Sequence, residues 1–298
     1  MTDNLRGSLF MVLAMLGFAI EDAFFKAATG IGVSAGVGTM IFGVFGTLSF
    51  VLYACWKREP VFRRAYIEGP LLIRSGFEIM GRLFFALSLA FAPLSTTSAI
   101  LQAAPLMVTL GAVVVLREPV GLRRWIAMMV GFLGVLLILR PTPSGFDATA
   151  IFAVLGMIGF AGRDLMTRAS PPEVSTTQLG ILGFLMVLIA GVVISIFQSA
   201  PVVAPSLHAF ALLVGTGLCG LVGYSALTLA MRTGEVSVVA PFRYSRLLFA
   251  LILAFFIFGE RPDALTLAGG ALIVGSGTYT LIRGERKQRA GMDPRSGV

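Results

Sequence analysis

Residues 13–27 read LAMLGFAIEDAFFKA, and residues 155–169 read LGMIGFAGRDLMTRA. Seven of the fifteen positions are identical, and a basic residue precedes the final alanine of both stretches. The shared polar position is an aspartate inside an apolar run, Asp22 in the first stretch and Asp164 in the second, so the separation is 164 − 22 = 142 positions. Self-similarity at a fixed spacing predicts a repeated structural unit.

The composition around these stretches is that of a membrane protein. Hydrophobic residues make up 57% of the 298 residues, charged residues only 13%, and the mean hydropathy is +0.91, whereas soluble domains carry about 25% charged residues. A helical span needs about 20 mostly apolar residues, and ten such runs can be drawn. They are residues 9–28, 35–56, 70–91, 96–116, 125–139, 149–168, 178–197, 208–231, 236–258 and 264–282. Continuous runs favour helices, because the strands of a membrane barrel alternate in polarity.

The spacing of 142 recurs between Glu118 and Glu260, since 260 − 118 = 142. Two markers with one spacing predict a duplicated half with five spans. Because five is odd, the second half must enter the membrane from the opposite face, which is the layout of many secondary transporters. The predicted fold class is therefore all-α integral membrane, with ten transmembrane helices in two inverted five-helix repeats.

Lysine and arginine in the short loops predict the orientation. The loop after the second run carries Lys57, Arg58, Arg63 and Arg64, the loop after the fourth carries Arg117, Arg123 and Arg124, and the tail carries Arg283, Arg286, Lys287, Arg289 and Arg295. The opposite loops hold little beyond Arg140 and Arg261. We therefore expect a multi-pass protein of the cell inner (plasma) membrane with both termini cytoplasmic. The tail, residues 283–298, is polar, and we expect it to be disordered.

Several other classes of protein are disfavoured. The net charge of +8 does not indicate nucleic-acid binding, because the basic residues lie in loops between apolar runs. Cys55 and Cys219 lie inside apolar runs, and His208 has no metal-binding pattern around it. No HExxH or phosphate-binding GxxxxGK[ST] motif occurs, so we predict neither an enzyme nor a cofactor. An integral membrane enzyme or a channel with a charged intramembrane cavity remains the alternative.

The predicted spans contain charged residues, which cost about 2.5–3.5 kcal/mol each at mid-bilayer on insertion scales and therefore indicate a functional site. Arg74, Glu78 and Arg82 recur every fourth residue and share one helical face. We expect such faces to converge on one interior volume, as a substrate site or as a salt-bridge lattice. Near span ends, Lys26, Arg74 and Arg168 are expected to extend toward the interface. Pro105 and Pro241 interrupt the fourth and ninth spans.

Arginine offers carboxylate and phosphate-like groups a planar fork of donors. The predicted substrate-binding residues are Arg82, Gln102, Arg163, Tyr224, Arg243, Tyr244 and Arg246. The predicted charge-balancing or coupling residues are Glu21, Asp22, Glu78 and Asp164. Because the set contains both signs, we expect a small, mixed-charge organic substrate as the partner of this membrane-embedded chain.

The absence of a nucleotide motif predicts facilitated transport or coupling to an ion gradient, and a proton gradient is one candidate. Glu21 is the proposed proton site, because position 163 of the second repeat holds an arginine where the first repeat has this carboxylate. Such asymmetry is expected where only one half carries out the proton chemistry. The alternative is that Glu21 and Arg163 form a permanent salt bridge.

Two further stretches carry a family resemblance. Residues 116–125, LREPVGLRRW, and residues 131–141, GFLGVLLILRP, resemble the EamA half-domain of the drug/metabolite transporter superfamily. Residues 258–260, FGE, supply the counterpart in the second half. Residues 240–244, APFRY, with residues 92–97, APLSTT, are also similar to the S-adenosylmethionine uptake carriers of that superfamily. Arg117 stands where a small residue often precedes the glutamate, which leaves the subgroup open.

The resemblance implies a first EamA repeat over residues 1–144 with spans one to five, and a second over residues 145–282 with spans six to ten. It implies a central cavity among the first, third and fourth helices and their repeat mates. The implied function is secondary transport of a small polar organic metabolite across the inner membrane by alternating access. Candidate substrates are S-adenosylmethionine, riboflavin, amino acids and related compounds.

Overall fold

The computed structural model describes residues 2–91, 97, 100–141, 148–197, 205–258 and 263–291, and these residues contain helices and turns but no strand. The helices are α1 Asp3–Gly30, α2 Ala35–Trp56, α3 Gly69–Phe91, α4 Ala104–Val114, α5 Leu122–Leu139, α6 Ala150–Arg168, α7 Thr176–Phe197, α8 Leu207–Arg232, α9 Ser245–Phe258 and α10 Ala264–Gly291. A short 3₁₀ turn, Arg64–Ile67, precedes α3. The repeat marker Glu260 and residues 92–96 lie outside the described residues.

Each of the ten predicted apolar runs overlaps one of these helices. Within the described residues, eight helical segments are long and apolar enough to cross a membrane, and one of them is Val236–Leu253, which joins the start of α9 to the turns before it. Helix α3 is 23 residues long but carries three charges, and α4 has only 11 residues. The structure therefore establishes a multi-pass helical protein, with α3 and α4 the least typical spans.

Hydroxyl side chains mark the starts of three of the helices. The side-chain oxygens of Thr2, Ser34 and Ser206 each accept a hydrogen bond from the backbone N–H three residues further on. Such caps satisfy donors that have no partner within the helix. At the other end of the chain, α10 continues to Gly291, so the expectation of disorder is wrong for residues 283–291, and residues 292–298 lie outside the described residues. Residues 283–290, RGERKQRA, are mostly good helix formers, which lets α10 extend beyond the apolar segment.

The longest helix contacts join one half of the chain to the other. Helix α1 packs along α8, α3 along α6, α2 along α7, and α5 along α10. If the halves are exchanged, so that α1 becomes α6 and α3 becomes α8, the first contact turns into the second. The other two contacts map onto themselves. The core therefore forms between the two halves, and its helix contacts stay the same when equivalent helices of the halves are exchanged.

Two glycine crossings show the same relationship at the level of residues. A Cβ atom on Gly17 would lie 3.0 Å from Cα of Gly223 where α1 meets α8, and a Cβ on Gly159 would lie 2.5 Å from Cα of Gly81 where α6 meets α3. The crossings are repeat mates, since 159 − 17 = 142 and 223 − 81 = 142. Small residues let membrane helices approach closely, and here both partners of each contact are glycine.

The ninth predicted span is not a single helix. A short helix, Val236–Val239, leads into a 3₁₀ turn, Ala240–Tyr244, before α9 begins at Ser245. Pro241 lies in the first positions of the 3₁₀ turn, where its missing N–H leaves no helical hydrogen bond unmade. The predicted interruption at Pro241 is thus confirmed. Arg243 therefore lies in the 3₁₀ turn, and Arg246 lies in the first turn of α9.

A polar cluster ties the two halves together at one end of the bundle, here called the Glu118 end. Glu118 accepts the backbone N–H of Val236 at 3.2 Å, and its carboxylate lies 3.5 Å from Arg168. Asn4 accepts the backbone N–H of Glu235 at 2.8 Å. These contacts join the start of α1 and the end of α4 to the end of α6 and the segment after α8.

A second ion pair marks another helix end. Arg140, after the last residue of α5, donates to Asp263 at 2.6 Å, just before α10 begins. Both side chains are about half exposed. This location is here called the Arg140 end.

Candidate functional site

The charged face of α3 lies against α6 and α8. Arg74 and Glu78 are fully buried. Arg74 donates from Nε to the Thr167 hydroxyl at 2.9 Å and from Nη2 to the Tyr224 hydroxyl at 2.6 Å. Tyr224 in turn donates to Glu78 at 2.9 Å. The expectation that Arg74 extends to the interface is therefore wrong, because three helices surround it and supply its partners.

The network continues through α6. Arg163 donates to Glu78 at 3.1 Å and lies 2.6 Å from its neighbour Asp164. Asp164 also forms an ion pair with Arg243 of the 3₁₀ turn before α9. We call this set the buried ion-pair network, which comprises Arg74, Glu78, Arg163, Asp164, Thr167, Tyr224 and Arg243. Its charged groups are paired with one another inside the protein, as buried charges require.

One ion pair of the interior is open to its surroundings. Arg246 of α9 donates to both oxygens of Asp22 in α1, at 2.7 Å to Oδ1 and 2.9 Å to Oδ2. Its guanidinium also lies 5.4 Å from the ring of Phe18. The two charged side chains are 38% and 56% exposed, whereas Arg243 and Asp164 are 12% and 1% exposed. The Asp22–Arg246 pair is therefore more exposed than the Asp164–Arg243 pair of the buried network.

Glu21 and Arg82 differ from the other interior charges. Among the described residues, neither side chain has a hydrogen-bond partner or a counter-ion within the 4.0 Å that defines an ion pair. Glu21 is only 6% exposed, and Nε of Arg82 is buried. The alternative of a Glu21–Arg163 salt bridge is wrong, because Glu78 and Asp164 hold Arg163. Burial of an unpaired charge is costly, so each of these two side chains is available to bind a ligand group of opposite charge.

The structure places one predicted site residue, Tyr244, away from the charged interior. Tyr244 is fully buried against Val135 and Ile273, and its hydroxyl is 3.4 Å from the Met128 carbonyl oxygen. Gln102 is partly buried in the turn before α4.

Three side chains that were not among the predicted site residues also belong to the site. Thr167 lies one turn after Arg163 on α6, a spacing that was readable from the sequence. The rings of Phe42 and Phe160 lie 5.7 and 6.0 Å from the Arg82 guanidinium, and nothing in the sequence distinguishes them from core phenylalanines.

The EamA-like transporter family matches the chain twice, over residues 5–140 and 148–282. The chain belongs to this family. It contains two EamA repeats, and it is a membrane transporter rather than an enzyme. A solved structure described only as a crystal structure of a protein superposes with a TM-score of 0.82 and covers 94% of this chain and 98% of its own, at 16% identity. This likeness shows the fold alone.

The relatives are named for different substrates. The chain is 30% identical over 217 residues to an S-adenosylmethionine uptake transporter of Rickettsia bellii, covering 72% of this chain and 73% of that protein. It is 26% identical over 275 residues to a riboflavin transporter of Vibrio cholerae, covering 91% of both chains. It is 28% identical over 272 residues to a pseudopaline exporter of Pseudomonas aeruginosa, covering 90% and 93%.

Proposed function

We propose that this chain is a secondary transporter that moves a small polar organic metabolite across the cell inner membrane by alternating access. The observation that carries the proposal is the accessible Asp22–Arg246 ion pair, which joins α1 of the first repeat to α9 of the second. A site shared by two repeats is suited to alternating access, since movement of one repeat against the other opens it to either face. S-adenosylmethionine, riboflavin and amino acids are the candidate substrates, on the strength of the relatives.

We further propose that the ten helices form two inverted repeats, residues 1–144 and 145–282. At the Glu118 end, Asn4 near the start of α1 and Arg168 at the end of α6 belong to one polar cluster. Helix α1 thus begins where its repeat mate α6 ends, which supports an inverted relationship. Positive charges in the loops of this end support a cytoplasmic location for it and for both termini.

Within the site, we assign direct substrate contact to Arg82, Arg246 and Gln102. Arg243, Arg163 and Tyr224 hold their positions through the buried network, and Asp22, Asp164 and Glu78 balance the charge. Tyr244 is left out of the proposed site, because its hydroxyl is directed at a backbone carbonyl elsewhere.

Glu21 is the proposed proton site of an ion-coupled cycle. Its support is a buried carboxylate without a counter-ion among the described residues. Uptake driven by an imposed pH gradient should disappear in Glu21→Gln while exchange persists. A wild type that is indifferent to the gradient would leave facilitated diffusion as the mode of transport.

Counterflow in proteoliposomes tests the function. Liposomes loaded with unlabelled S-adenosylmethionine, riboflavin or methionine receive the same compound in labelled form outside. A carrier accumulates label transiently above equilibrium, whereas a channel only equilibrates it. Failure of all three compounds to show counterflow would contradict the proposal.

A further inference from the structure

The two interior charges that lack partners among the described residues have opposite signs and lie near each other. Both side chains adjoin Phe42. Arg82 lies 5.7 Å from its ring centroid, and a Cβ on Gly220 would meet Phe42 Cζ at 2.5 Å and Glu21 Cδ at 3.4 Å. Arg82 and Glu21 nevertheless form no direct ion pair in the described structure.

The repeat relationship explains why Glu21 lacks a partner. Its equivalent in the second repeat is Arg163, since 21 + 142 = 163, and the equivalent of Glu78 is Gly220, since 78 + 142 = 220. Arg163 meets Glu78 across α3 and α6. At the related place between α1 and α8, Glu21 faces a glycine that offers no side chain. The interface of α3 with α6 therefore contains both partners of an ion pair. The interface of α1 with α8 contains only the carboxylate, which a cation of a ligand can neutralise.

From this pair we infer that the transporter binds the α-amino-carboxylate group of its substrate, with the carboxylate on Arg82 and the ammonium group on Glu21. The inference rests on the proposed function and names the substrate class of that site. A zwitterionic group supplies one partner to each unpaired charge, so neither remains uncompensated in the interior. A flavin, which has no such group, would leave both charges unpaired.

The other interior charges are less suited to this role. The Asp22–Arg246, Asp164–Arg243 and Glu78–Arg163 pairs are already neutralised, so a substrate would have to break each of them to bind. The rings of Phe42 and Phe160 flank Arg82 and present a face to the apolar part of the ligand. Because an ammonium group binds only the charged carboxylate, a proton on Glu21 and the substrate's ammonium group exclude each other.

Binding measurements on purified full-length protein test the inference with a set of matched compounds. They are S-adenosylmethionine, its decarboxylated form, the form in which a hydroxyl replaces the α-amino group, and riboflavin. In the wild type, loss of either charged group should weaken binding by about ten- to a hundredfold, the usual effect of losing a charge-assisted hydrogen bond. In Arg82→Gln, the parent and its decarboxylated form should bind equally well. In Glu21→Gln, the parent and the hydroxyl form should bind equally well.

Matched controls come from the exposed pair at the Arg140 end. Arg140→Gln and Asp263→Asn remove the same charges far from the site and should preserve the wild-type discrimination between the compounds. The comparison of compounds on the wild type needs no variant, so it holds even if a substitution prevents folding. Equal wild-type affinity for the parent and the decarboxylated compound would overturn the inference.

The inference and the proposed function fail in different ways. Riboflavin counterflow that is unaffected by Arg82→Gln and Glu21→Gln would overturn the inference and leave the transporter assignment standing. Absence of counterflow with S-adenosylmethionine, methionine and riboflavin would contradict both.

Discussion

Asp22 and Asp164 occupy equivalent positions of the two repeats, and each forms an ion pair with an arginine of the same interrupted span. Asp22 pairs with Arg246 and Asp164 with Arg243, three residues earlier. The two aspartates are thus repeated in both halves, but the arginines that pair with them are not. The positions equivalent to Arg243 and Arg246, 142 residues earlier, hold Leu101 and Ala104. We expect loss of the Asp22–Arg246 pair to affect transport, and loss of Glu78 from the buried ion-pair network to affect stability.

Replacing Arg246 by Ala should abolish uptake while the protein still inserts into the membrane. The substitution removes the accessible guanidinium and leaves Asp22 without its counter-ion. We expect counterflow to fall by about tenfold or more, as for loss of a charge-assisted contact. Arg140→Ala is the matched control and should transport normally. Unchanged counterflow in both Arg246→Ala and Arg243→Ala would refute the assignment of the site.

Glu78→Leu should destabilise the protein strongly. It removes the carboxylate that Arg163 and Tyr224 contact and leaves buried positive charge uncompensated. Removing one partner of a buried ion pair costs about 3–5 kcal/mol, whereas an exposed pair is worth about 0–1 kcal/mol. Thermal unfolding in detergent should therefore show a large fall in Tm for Glu78→Leu and a small one for the control, Asp263→Leu. Similar Tm values for the two variants would argue against a structural network.

The glycine crossings should tolerate no larger residue. Alanine at position 159 would place a Cβ 2.5 Å from Cα of Gly81, so α3 and α6 would have to separate. Gly159→Ala should lower Tm, and so should Gly17→Ala at the equivalent crossing. Gly76→Ala on α3 is the control, because no atom lies within 4 Å of its added Cβ. If Gly76→Ala lowered Tm as much as Gly159→Ala does, the loss of stability could not be attributed to the close contact between α3 and α6.

Stability should depend on pH in opposite directions at the two ends. Burial raises the pKa of Glu118 despite Arg168, so the folded protein holds a proton there at a pH where the unfolded chain has lost it. Stability from this group is therefore lost as pH rises above 4.5, the ordinary value, through the raised pKa. The Tm difference between wild type and Glu118→Gln should become less favourable to wild type over that rise.

Asp263 provides the opposite sign. Hydrogen bonds from Arg140 and Thr266 hold the pKa of Asp263 below its ordinary value of 3.8. Its contribution is complete above that value and is lost as pH falls through the lowered pKa. The Tm difference between wild type and Asp263→Asn should therefore fall in acid. Slopes of the same sign at both positions would contradict the two assignments.

The proposed topology places Glu68 and Asp263 on opposite sides of the membrane. Single cysteines at these positions, in a background with Cys55 and Cys219 replaced by serine, should react differently with a membrane-impermeant thiol reagent in intact cells. We expect modification at position 263 and protection at position 68. Modification at both would show that the number of spans between them is even.

The sequence predicted the repeat, the apolar runs and the interruption at Pro241, because each depends on local pattern or composition. It placed Arg74, Glu78 and Arg82 on one face correctly, yet it assigned Arg74 to the interface and considered Arg163 as a partner of Glu21. Spacing along a helix fixes which residues share a face, but their partners depend on the rotation and crossing of neighbouring helices. The helices can thus be predicted from the sequence more reliably than the ion-pair partners of their charged residues.

The pairing of helices across the halves has a consequence for biosynthesis. Asp22 and its counter-ion Arg246 are 224 residues apart, and the main packing partner of α1 is α8. When the first five helices leave the ribosome, α1 already carries Glu21 and Asp22, but neither Arg246, the counter-ion of Asp22, nor α8, the main packing partner of α1, has been made. The nascent half must therefore be held by the insertion machinery until the second half arrives. A chain that terminates between the repeats is expected to be cleared by membrane proteolysis rather than to persist as a stable half.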